Sequence, residues 1–144
     1  MQGLYFDELS LGQSAETSQV VGAADIEAFA AVSGDVNPVH LDEAYARTTP
    51  FDGRIAHGML AAAYISAVIG NRLPGPGAIY LSQSLRFRRP VKIGDQVTAR
   101  VTVKALDADK GHATFDTVCL VAGKTVVEGE ALIMVPRRGG AAGA

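Results

Sequence analysis

From Gln96 to Leu106 the chain alternates, with Val97, Ala99, Val101, Val103 and Ala105 separated by Thr98, Arg100, Thr102 and Lys104. Strand side chains point to opposite faces in turn, so this spacing predicts a strand with one dry and one wet face. Less regular strand patterns cover residues 78–88, 112–122 and 125–135, and Gly94-Asp95, Asp109-Lys110-Gly111 and Gly123-Lys124 supply turns. The first half of the chain has a different rhythm. Residues 14–21 alternate weakly, as a leading strand would. From Ala24 onward Ile26, Phe29 and Ala30 fall at helical spacing, with acidic Asp25 and Glu27 near the positive end and Gly34 placed as a stop. A longer helix is predicted from His57 to Gly70, and no charged residue interrupts it from Gly58 onward. A helix apolar on every face is predicted to be enclosed by protein on all sides. The sheet's dry face and the helix can satisfy each other, which predicts an α+β domain: an antiparallel sheet curled around one central helix.

Composition fits one such domain. The 144 residues are 48% hydrophobic and 19% charged, enough for a single core without staples. Residues 1–136 are predicted to form the domain and 137–144, rich in Gly and Ala, a flexible C-terminal tail. A formal charge of -2 gives no basic field for nucleic acid, so none is expected as a partner. The longest apolar run, Gly58 to Gly70, is too short to span a bilayer, and the first residues lack the basic and apolar regions of a secretory signal. A cytoplasmic protein without membrane association is expected. Cys119 is the one cysteine, which excludes an intrachain disulfide and a thiolate metal cage. A short sheet has edges that need pairing, so a homodimer is expected.

The chemistry concentrates in Ser33-Gly34-Asp35-Val36-Asn37-Pro38-Val39-His40-Leu41-Asp42. Pro38 prevents a continuous helix from Asp35 to His40, and the resulting bend can bring both side chains to one point. The bland alternative has Asp35 capping a turn and His40 packing at a helix start, which is the commoner outcome for an arbitrary Asp and His at this spacing. Asp42 is expected to N-cap a short helix over Glu43-Ala44-Tyr45-Ala46, Thr48–Gly53 to form a loop, and Pro74-Gly75-Pro76-Gly77 to break the chain. His112 is expected to be solvated. Arg86, Arg88 and Arg89, with nearby Lys92, are the one local positive patch, and a small anion suits it better than a polynucleotide.

The segment "SGDVNPVHLD", followed by "IAHGML" at 55–60 and "LRFRRPVKIGDQV" at 85–97, resembles the MaoC-like hydratases, and among them the (R)-specific enoyl-CoA hydratases. The resemblance spans residues 20–135 and carries three motifs in the family's order. It implies a hotdog fold, dimerisation through sheet edges, an active site near the dimer interface, and Asp35 with His40 as the catalytic pair. The Asn-Pro between them and the two accompanying motifs favour the functional reading over the bland one.

The implied reaction adds water to a 2-enoyl thioester. Water must lose a proton as it attacks C3, C2 must gain one, and the thioester oxygen must carry negative charge. A carboxylate and an imidazole on one water serve both proton movements, each worth about 10²–10⁴-fold. For the oxygen, Gly58 opens the apolar helix, where the first amides lack partners and the macrodipole is positive. Such a donor contributes about 2.7–4 kcal/mol in the transition state. Asn37 has two readings, a bond to a catalytic side chain or an Asx turn in the loop. His57 is read as a positioning group bonding within the loop. A metal held by Asp35, His40, His57 and Asp42 is not expected, because their spacing matches no ligand pattern. Ser66, read as buried, has two candidate partners: a carbonyl one turn back, or, through the resemblance, Asp35. Arg86, Arg88, Arg89 and Lys92 are assigned to the phosphates of coenzyme A, which arrives on the acyl-CoA substrate, so no separate cofactor is expected. Rivals are a 3-hydroxyacyl-ACP dehydratase, a hotdog thioesterase and a non-catalytic acyl-binding subunit; supply of polyhydroxyalkanoate precursors is one candidate pathway.

Overall fold

The structure, a computed structural model, describes residues 2–139. Six strands form one antiparallel sheet: β1 (Ser14–Val20), β2 (Ile79–Gln83), β3 (Arg86–Phe87), β4 (Gln96–Asp107), β5 (His112–Val121) and β6 (Lys124–Met134). Their order is β1-β4-β5-β6-β2, and β3 also pairs with β6. Among the described residues four α-helices accompany them, α1 (Ala23–Ser33), α2 (Pro38–Leu41), α3 (Glu43–Ala46) and α4 (Gly58–Asn71), with a 3-10 turn at Phe6–Glu8. The inner face of β4–β6 meets α4, giving a core in which Phe115, Ile65, Val68, Ile69, Val101 and Ile133 are fully enclosed. This is the curled sheet and central helix of a hotdog fold, left open as a sheet rather than closed into a barrel.

Several details differ from the sequence reading. The expected strand over 78–88 breaks into β2 and β3, which share the same side of β6 and make one discontinuous edge. In β4, Val97, Ala99, Val101 and Val103 are buried as the alternation predicts, but a register shift follows Val103. The extra residue turns Ala105 outward and brings Leu106 against the core. The helix α4 is not covered on all sides. Leu60, Ala61, Tyr64, Ile65, Val68 and Ile69 are buried, whereas Met59, Ala63, Ser66 and Gly70 form an exposed stripe at helical spacing. One chain's sheet reaches only one side of the helix. The tail expected from residue 137 is also tied at its start: Arg137 lies over the Phe6 ring and bonds the Ala108 carbonyl, and Arg138 lies over Tyr5. Residues 140–144 of that tail lie outside the described residues.

Cys119 is fully buried in β5, where its thiol donates to the Ala61 carbonyl of α4 at 3.4 Å. Burial pushes the thiol up to about 12. A disulfide reagent at a pH of about 8 is therefore expected to leave Cys119 unmodified in the folded protein and to label it fully in denaturant. Rapid labelling of the native chain would contradict this placement.

Candidate active site

The site begins where α1 ends. Gly34 takes φ 79°, a left-handed conformation that glycine adopts without strain, and its amide bonds the Ala30 carbonyl at 2.9 Å. The chain then winds through a series of side-chain turns. The Asp35 carboxylate accepts the Asn37 amide at 3.2 Å, and Asn37 Oδ1 accepts the Val39 amide at 3.1 Å. Asn37 is thus the N-cap of α2, with Pro38 at the first helical position, where its missing N–H costs nothing. Of the two readings of Asn37, its side chain takes the loop role, while its main-chain N–H serves Asp35. Asp42 caps α3 through the Tyr45 amide at 3.0 Å, as expected.

The turn carries His40 inward to 9% exposure, and its Nδ1 lies 2.8 Å from the Ile55 carbonyl. A carbonyl only accepts, so Nδ1 carries the proton and Nε2 is the free lone pair of the neutral ring. His57, 3% exposed, uses its Nε2–H in the same way on the Asp35 main-chain carbonyl at 2.9 Å. Its ring stacks on His40 with centroids 3.9 Å apart, and Phe29 tilts against it at 4.9 Å. His57 thereby touches both the Asp35 loop and the His40 ring.

A carboxylate oxygen of exposed Asp35 and one ring nitrogen each of His40 and His57 lie within 4.8 Å of one another. The two imidazole rings are stacked with their planes 27° apart, and Asp42, the fourth residue weighed as a ligand, caps α3 instead.

His57 is also the N-cap of α4, but its side chain makes no capping bond. The α4 entrance amides at Gly58 and Met59 therefore stay open, beside His40, on a cavity of about 480 Å³. Ile55, Ala61, Phe87, Val91 and Val127 supply apolar wall. A methyl at Gly58 would sit 2.6 Å from the Phe87 ring, so glycine keeps both the amide and the ring's seat accessible.

Two assignments require correction. Ser66 is exposed on the uncovered side of α4, and the Asp35 carboxylate accepts the Asn37 amide instead. The basic patch does not converge. Arg88 and Arg89 line the cavity, but Arg88 is paired with Glu128 at 2.8 Å. Arg86 lines a separate depression with Asp116 and Glu130, and Lys92 is outside the cavity lining. His112 is half-buried at the start of β5. The sequence reading missed the Ile55 carbonyl and the Phe87 ring; both lie inside quoted motifs, but neither is a residue type that announces acid-base chemistry.

Comparison with known proteins agrees with this geometry. The family described as the MaoC like domain matches residues 8–128. The chain is 58% identical over 135 residues to an (R)-specific enoyl-CoA hydratase of Rhodospirillum rubrum, covering 94% of each. It is 38% identical to a mitochondrial 3-hydroxyacyl-[acyl-carrier-protein] dehydratase of Arabidopsis thaliana, covering 89% of this chain and 78% of that one. Among solved structures, the (R)-hydratase of Aeromonas caviae involved in PHA biosynthesis superposes with a TM-score of 0.87 at 50% identity, covering 89% of this chain and 98% of that one. With the Asp35–His40 loop, open helix entrance and hotdog sheet in place, the chain belongs to the MaoC-like family.

Proposed function

We propose that this chain is an (R)-specific enoyl-CoA hydratase, reversibly adding water to trans-2-enoyl-CoA to give (3R)-3-hydroxyacyl-CoA. The observation that carries the reading is the meeting of the Asp35 carboxylate and the His40 imidazole beside the open amide of Gly58. In this reading the thioester oxygen faces the Gly58 N–H, where the helix dipole favours the charge that develops during addition. Asp35 and His40 hold one water on one face of the double bond. An O–H bond of that water breaks as its oxygen bonds C3, the π bond is lost, and C2 receives a proton from the pair. Both new bonds form on the same face, which is syn addition.

The carrier is proposed as coenzyme A rather than acyl-carrier protein, because the likeness is greater to the CoA hydratase, 58% against 38%. Arg89, at the cavity, is the proposed contact for a CoA phosphate in place of the four-residue patch. Hydrolysis is disfavoured, since α4 carries no acid to activate water against the thioester carbonyl. We further propose a homodimer. The β2 edge exposes Ile79, Tyr80 and Leu81, and the Met59–Gly70 stripe of α4 lacks cover, so a second copy would bury both. No described helix is long and apolar enough to cross a membrane. A cytoplasmic site of action and supply of hydroxyacyl precursors to a polyester are the proposed context.

The test is purified protein with crotonyl-CoA, following the ultraviolet absorbance of the conjugated thioester with a thiol reagent present. Hydration removes absorbance without free thiol, thiol release means a thioesterase, and faster turnover of the acyl-carrier-protein substrate would reassign the carrier. No change with short- or medium-chain substrates would sink the proposal.

A further inference from the structure

The helix α2 is a single turn of four residues, too short to sustain itself, because a first turn fixes many dihedrals for few hydrogen bonds. Its carbonyls are satisfied largely from outside. The Val39 carbonyl accepts the Ile55 amide at 3.3 Å, and the His40 carbonyl accepts Arg54 Nε–H at 2.7 Å. His40 Nδ1–H in turn reaches the Ile55 carbonyl. Residues 54 and 55 therefore grip the catalytic turn at two main-chain carbonyls and at the imidazole itself. Arg54 is anchored in its own right, its amide held by Glu43 Oε1 at 3.0 Å at the start of α3. Its Nη2 is buried without a hydrogen-bond partner, so the guanidinium is partly withdrawn from water, where a charge-assisted bond is stronger.

We propose that Arg54 is a positioning residue for the reaction: its bond to the His40 carbonyl sets the direction in which the imidazole faces Asp35 and Gly58. The effect on rate rests on His40 acting in hydration; the effect on the ring does not. A 1 Å misplacement of a catalytic group can cost about 100-fold, and lysine cannot reproduce the planar donor at Nε.

The experiment compares Arg54→Met, Arg54→Lys and Arg54→Ala in crotonyl-CoA hydration, with folding checked by circular dichroism and histidine tautomers read by ¹⁵N NMR. Folded Arg54→Met is expected to lose about 30- to 100-fold in kcat with KM changed by less than about threefold. Arg54→Lys is expected to fall between Met and the parent. Added guanidinium ion is expected to restore part of the kcat of Arg54→Ala. In the spectrum, the His40 Nδ1–H signal should shift or broaden in Arg54→Met. A folded Arg54→Met with kcat within about twofold of the parent, or a kcat loss with an unchanged His40 signal, would overturn the proposal. If Arg54→Met does not fold, Arg54→Leu, which likewise lacks a side-chain donor, is read by the same two criteria. Should the parent lack hydratase activity, the NMR arm still decides whether Arg54 holds the ring.

Discussion

His40→Ala is expected to lower kcat for crotonyl-CoA hydration by about 10²–10⁴-fold, and Asp35→Asn by a similar factor. The reasons differ. His40 is buried with Nδ1–H committed to the Ile55 carbonyl, so alanine removes the free Nε2 together with that one grip on α2, while the Val39 and His40 carbonyls keep theirs. Asp35 is exposed, and asparagine retains an oxygen to accept the Asn37 amide while losing the charge that takes or shares a proton. Neither change touches the main-chain bonds that shape the loop, so the fold should survive in both. Because the two groups act on one water, the double variant should be scarcely worse than either single one. Steady-state rates of the three variants, with thermal melting as a control, check this; near-normal turnover in either single variant would remove that residue from the mechanism.

The second large effect is structural. Gly129→Ala is expected to destabilise the protein by about 3 kcal/mol, a fall in melting temperature of roughly 10 °C. The chain crosses β6 closely where β2 gives way to β3, and a methyl on Gly129 would lie 1.8 Å from the Ser84 carbonyl oxygen. Ser84 has little freedom to retreat. Its amide bonds the Glu130 carbonyl at 2.9 Å, and its hydroxyl accepts the Glu130 amide at 3.0 Å. Displacing this crossing also displaces β3, whose Phe87 pairs with Val127 at the cavity, so kcat/KM should fall with stability. Calorimetry of the variant decides it, and a melting temperature within about 2 °C of the parent would contradict the crossing.

Gly129 also shows where the sequence stops being informative. Period-two alternation placed the buried face of β4, because strand geometry forces it residue by residue. The same alternation contains no trace of the shift after Val103, nor of the crossing at Ser84, since both are set by the neighbouring strand. The uniform apolarity of α4 predicted cover on every side, but the residues that provide it within one chain reach only the face of Leu60, Ile65 and Ile69. Asp35 and His40 were singled out because the Asn-Pro between them and the two accompanying motifs resemble a known family, and Gly58 because it opens the apolar helix. The Ile55 carbonyl and Arg54 Nε were not, because a main-chain acceptor has no sequence signature and an isolated arginine reads as a surface charge. The Arg86–Lys92 patch misled for a geometric reason. Successive strand residues face opposite sides, so Arg86 lines an outer depression while Phe87 lines the cavity with Arg88 and Arg89 beyond it.

The central claim is that Asp35 and His40 deliver hydroxyl and proton from one side to an enoyl thioester held at Gly58. Hydration of crotonyl-CoA in D₂O, with the product's configuration at C2 and C3 read by NMR, tests it most directly. The account predicts a single (3R) diastereomer with deuterium at C2 added syn to the hydroxyl. An anti product, a mixture at C2 formed during the addition, or a (3S) alcohol would contradict it.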